Sequence, residues 1–180
     1  MIRVDPWAYL LWAVLILILP LQWLIAAFFA AFFHELCHFL AIRLLGGTIL
    51  RVQIHPFGAM MEIQELSAGR ELLCALAGPA GSLLLMLLAR RFPMASVCAL
   101  VQGCFNLLPV FPLDGGRALR CLLKILCPAY AGTVMHGIER CLLAGLVLFA
   151  IVGTFALHLG AFPLLFSLLL ILRVILRKRP

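Results

Sequence analysis

Residues Phe32-Phe33-His34-Glu35-Leu36-Cys37-His38-Phe39 read FFHELCHF and sit in the middle of a long apolar run. Lipid tolerates ionisable groups inside a span only where something compensates them, so three of them in five residues point to a functional site. On a helix, positions i and i+4 share a face, so His34 and His38 can hold one metal ion together. Glu35 stands beside them, placed to take a proton from water and return it to a leaving group. The competing reading, interfacial or core polar residues without a metal, leaves that cost uncompensated.

The surrounding chain explains why the setting is apolar. Of 180 residues, 66% are hydrophobic and 12% charged, with a mean hydropathy of +1.18. Soluble domains are nearer half apolar and a quarter charged, so the composition indicates an all-α polytopic membrane protein. The net charge of +7 comes from basic residues at the ends of apolar runs, the pattern that orients and anchors spans. No aromatic residues interleave with a basic stripe, which excludes a nucleic-acid surface. Seven scattered cysteines, with no CxxC pair, read as reduced and structural rather than as a disulfide framework. The N-terminus has one early Arg and no small-x-small cleavage site, so it reads as an uncleaved first span.

Working outward from FFHELCHF, the hydropathy predicts about six transmembrane helices, at residues 7–23, 24–45, 71–88, 94–108, 138–157 and 161–176. Residues 48–66 are rich in Ile, Val and Met around Pro56-Phe57-Gly58, which predicts a small membrane-associated β-hairpin between the second and third spans. A further helical piece is expected over residues 117–126. With the N-terminus in the cytoplasm, only Arg90 and Arg91 of the 14 basic residues fall on the far side. Both termini are therefore expected in the cytoplasm. The 180 residues are expected to form one domain.

A catalytic zinc site usually has three protein ligands and an open position. Only seven acidic residues exist, Glu35 among them. Asp5 is at the N-terminus, Glu62 and Glu65 fall in the hairpin, and Glu71 and Glu139 sit near span ends. Asp114 lies in Asn106-Leu107-Leu108-Pro109-Val110-Phe111-Pro112-Leu113-Asp114-Gly115-Gly116, where two prolines break any regular helix at membrane depth. It is the preferred candidate over His55, His136, His158 and Cys37, although LDGG also suits an ordinary turn.

HELCH and NLLPVFPLDGG together resemble the site-2 protease family of intramembrane zinc metalloproteases (peptidase family M50). The compact bacterial branch typified by stage IV sporulation protein FB is the nearest in appearance. The resemblance covers roughly residues 20–120. It implies one zinc ion per chain, held by His34, His38 and Asp114, with Glu35 as the general base. It further implies substrate contacts at Asn106, Pro109 and Pro112, which with Leu113 match the family pattern N-x-x-P-x-x-P-x-D-G, and at Phe57 and Gly58 of the hairpin. The implied activity is endoproteolysis of a membrane-embedded or membrane-tethered protein, in a bacterial cell membrane, with a regulatory membrane protein as a further partner. No PDZ or cystathionine-β-synthase-type domain is expected. One departure stands out: Ser82 occupies the place of Asn in the family's G-P-x-x-N, which removes a side-chain amide from the third span. Two other readings are a catalytically silent zinc-binding membrane scaffold and a metal transporter. The transporter would normally offer ligands along a path through several spans, not at one depth.

Overall fold

The computed structural model describes residues 2–4, 6–55, 58–64, 66–111 and 113–156, together with positions 158, 160, 164, 167, 168 and 171. A short strand β1 (Ile2–Val4) leads into α1 (Pro6–Ile18) and α2 (Leu21–Leu44). The hairpin follows as β2 (Ile49–His55) and β3 (Gly58–Ile63). The helices α3 (Ala68–Leu85), α4 (Pro93–Asn106), α5 (Asp114–Leu126) and α6 (Ala131–Phe155) complete the order, with a 3-10 turn at Met86–Leu88 extending α3.

Helices α2, α3 and α4 form the central layer. Small residues line their contacts: Ala26 and Ala30 on α2, Ala75, Gly78 and Gly81 on α3, Ala95, Ser96, Ala99 and Gly103 on α4. Without a hydrophobic drive between helices in lipid, such residues bring backbones close enough for dispersion to hold them. Buried Ala30, Leu85 and Ala99 pack with Phe33 at the centre. The buried row of α2 runs Ala26, Ala30, His34, His38, Ile42, so the two histidines continue a packing stripe at a spacing of four. Phe28, Phe29 and Phe32 point outward.

Three of the described helices are long and apolar enough to cross a membrane: Leu21–Leu44, Ala68–Leu88 and Ala131–Phe155. The expected count of six is not matched at that standard. α1 has 13 residues and α4 has 14, both short of the ~20 that a full span needs. The expected sixth span falls largely outside the described residues. The break between the first two helices comes at Leu19-Pro20 rather than after Trp23, because proline starts a helix readily but cannot continue one. α6 starts about two turns earlier than its apolar run suggests.

The expected hairpin is present, with β2 and β3 antiparallel in the register Val52↔Met61 and Ile54↔Ala59. Its third strand was not expected from the residue pattern. β1 pairs in parallel with β2, Ile2 opposite Val52, so the sheet order is β1-β2-β3.

The proline-broken segment folds tightly between α4 and α5. Val110 N–H donates to the Leu108 carbonyl at 2.7 Å and Leu113 N–H to the Val110 carbonyl at 2.9 Å. α5 begins at Asp114 itself, three residues before its expected start. The two helical residues after it can only be glycine, because the segment lies against them. A Cβ on Gly115 would run into the Leu107 carbonyl, and one on Gly116 into the backbone of Val110 and Phe111. Gly115→Ala is therefore expected to cost about 1–3 kcal/mol through overpacking. Gly137→Ala, in open space on α6, is expected to be neutral or slightly stabilising. Thermal unfolding in a mild detergent checks this pair, and equal melting temperatures would refute the packing account.

Candidate metal centre

Three side chains on two helices deliver one donor atom each to a common point. His34 and His38 come from adjacent turns of α2, and Asp114 from the first turn of α5. His34 Nε2 lies 3.0 Å from Asp114 Oδ2, His38 Nε2 lies 3.1 Å from the same oxygen, and the two Nε2 atoms are 3.2 Å apart. The side chains of His34 and Asp114 are 1% and 13% exposed. A helix N-terminus also favours the Asp114 carboxylate, because unsatisfied N–H groups carry positive charge there.

The other imidazole nitrogens set the tautomers. His38 Nδ1 donates to the Cys74 carbonyl at 2.8 Å. A carbonyl only accepts, so in a neutral ring the proton sits on Nδ1 and Nε2 presents a lone pair. Pro79 lies inside α3, and its missing N–H takes the helical partner from the carbonyl of Ala75, next to Cys74. His34 Nδ1 lies 2.8 Å from Ser82 Oγ, and Ser82 is fully buried. The serine that departs from the expected pattern thus orients the first histidine with its hydroxyl. Sequence reasoning noticed the lost amide and missed this bond; the signal available was the alignment of Gly78 and Ser82 one turn apart on α3.

The donors fit a metal ion. Two lone-pair nitrogens and a carboxylate oxygen repel one another unless a cation or a proton lies among them. Ligands at ~2.0–2.1 Å in a tetrahedral site stand about 3.3 Å apart, close to the three separations found. The space they enclose exists because residue 78 is glycine. A Cβ there would meet His38 Nε2 and lie 2.6 Å from His34 Nε2. Among the described residues this is a group of His, Cys, Asp or Glu arranged to hold a metal.

Glu35 is half-buried on the adjacent position of α2. The start of β3 lies over it, so that a Cβ on Gly58 would sit 3.3 Å from Glu35 Oε1. Gly58 has φ +132°, a conformation that L side chains rarely adopt. Asn106 and Pro109 are half-buried where α4 gives way to the proline segment. Asn106 makes no side-chain hydrogen bond to the cluster. Phe57 and Pro112 lie outside the described residues. Cys37 faces Gly81 of α3, and His136 turns to Glu139 at 3.4 Å, so neither joins the cluster.

No family model matches the chain. A likeness appears in structure: the chain superposes on the site-2 protease from Methanocaldococcus jannaschii with a TM-score of 0.73, covering 99% of this chain and 91% of that one at 24% identity. This is the site-2 protease fold. In sequence, the chain is 30% identical over 127 residues to a zinc metalloprotease of Methanocaldococcus jannaschii, a match covering 63% of this chain. It spans 35% of that relative's length, about a third. The structural likeness shows the fold, and the likeness to a zinc metalloprotease agrees with the resemblance that HELCH and NLLPVFPLDGG carry.

Two variants separate the parts of this centre. Gly78→Ala is expected to abolish metal binding by filling the cavity, with helix content unchanged by circular dichroism. Ser82→Ala is expected to weaken binding by about 10–100-fold, the usual cost of losing an outer partner of a histidine ligand. Equilibrium competition against a chelator of known affinity measures both. Full metal occupancy in Gly78→Ala would refute the assigned cavity.

Proposed function

We propose that this protein is a zinc-dependent intramembrane endopeptidase acting on a membrane-embedded or membrane-tethered protein. The observation that carries the reading is the buried triangle of His34 Nε2, His38 Nε2 and Asp114 Oδ2 inside apolar helices, with Glu35 beside it. The zinc metalloprotease relative and the site-2 protease fold support the same reading. In it, His34, His38 and Asp114 are the ligands of one zinc ion per chain. A zinc ion held there supplies Lewis acidity toward a peptide carbonyl and toward water.

The chain's own residues do the rest. Glu35 accepts a proton from water as the oxygen attacks the scissile carbonyl carbon. It returns that proton to the amide nitrogen as the carbon–nitrogen bond breaks. The Cys74 carbonyl and Ser82 hydroxyl hold the two imidazoles in register, so no reorganisation is needed at the moment of reaction. A substrate helix must unwind before its peptide bond can reach water. β3 is the edge of the sheet and starts over Glu35, so an extended segment added along β3 would be delivered to the general base. Asn106, Pro109 and Gly58, with Phe57 and Pro112, are the residues assigned to substrate.

Glu35→Gln is expected to retain zinc and to lose cleavage by at least a hundredfold, the lower range for a general base. The measurement compares new protein N-termini in membranes holding equal amounts of wild type or variant. Cuts within or beside hydrophobic segments, seen with wild type alone, support the protease. Identical N-termini from both, with zinc bound, would instead favour a silent zinc-binding scaffold.

A further inference from the structure

Among the described residues, α6 carries a buried carboxylate that the reaction does not use. Glu139 is 5% exposed, on a helix whose other buried residues are Ala131, Met135, Ala150 and Gly153. An ionisable group so placed is costly unless it holds something. Its Oε1 accepts the Phe111 backbone N–H at 3.1 Å. Phe111 belongs to the proline segment, where the N–H groups of Leu107, Leu108, Val110 and Leu113 are met by carbonyls of α4 or of the segment itself. The Phe111 N–H is met from another helix. The same face of α6 presents Leu142 and Leu146 to buried Val110 and Leu113. Glu139, Leu142 and Leu146 recur at helical spacing, so one stripe of α6 grips this segment with one polar and two apolar contacts.

The grip is short of the metal centre by three residues. The Leu113 N–H bond to the Val110 carbonyl closes a turn around Phe111, and Asp114 follows directly. Gly116 lies against the backbone of Val110 and Phe111. We propose that Glu139 is a positioning residue: by holding Phe111 N–H it sets where Asp114 Oδ2 stands against His34 and His38, and so couples docking of α6 to metal retention. This rests on the zinc reading of the cluster above.

The test uses the full chain in detergent and reads zinc affinity by chelator competition, alongside the melting temperature of the metal-free protein. Glu139→Gln keeps an acceptor oxygen at the same reach and is expected to stay within about threefold of wild-type affinity. Glu139→Leu keeps apolar packing but no acceptor and is expected to bind zinc 10–100-fold more weakly, with helix content preserved. Equal zinc affinity in Glu139→Leu and wild type would overturn the proposal. So would a loss in Glu139→Gln as large as that in Glu139→Leu, since the acceptor would then not be what matters. A wild-type chain that binds no zinc would instead refute the zinc reading itself, which keeps the two failures apart.

Discussion

Three lone pairs pointed at one another inside a hydrophobic protein are an unstable arrangement without a cation, and the rest of this fold is organised to hold them there. His34 Nε2, His38 Nε2 and Asp114 Oδ2 stand within 3.2 Å of each other. Each is fixed from behind by a different device. The Cys74 carbonyl dictates one tautomer, the Ser82 hydroxyl braces the other ring, and a helix N-terminus favours the carboxylate. Since lipid offers no competing hydrogen bonds, each device is worth more here than at a wet surface.

The centre is made as much by missing atoms as by present ones. Gly78 leaves the space between the imidazoles, Gly81 admits the side chain of Cys37, and Gly115 and Gly116 admit the folded-back proline segment. Helix α3 thus approaches α2 and α5 closely enough for its own backbone to serve the site. A larger residue at any of these points would separate the helices that bring the donors together.

Much of this was legible in the sequence. HELCH declared itself because ionisable groups in an apolar helix demand compensation, and Asp114 because a proline-broken backbone at membrane depth demands a reason. What escaped was tertiary. The expected helix begins at residue 117, beyond Gly115-Gly116, whereas α5 already starts at Asp114, since only packing against Leu107 and Val110 reveals why glycine is needed inside it. Glu139 was passed over as a residue near a span end, because its partner is a backbone N–H that no side-chain pattern announces. Ser82 read as a lost amide, although its hydroxyl reaches the His34 imidazole. The continuous apolar run over residues 7–23 hid the break at Pro20.

The parallel pairing of β1 with β2 has a consequence for how the chain assembles. β2 and β3 are neighbours in sequence and can close on microsecond timescales. β1 is joined to β2 only through α1 and α2, so its pairing closes a loop of about fifty residues whose entropy must be met at once. A strand of three residues is too short to drive that closure alone. Pairing of Ile2–Val4 is therefore expected to follow the docking of α1 beside α2. Protection of their amides from hydrogen exchange becomes a clock for the completion of folding.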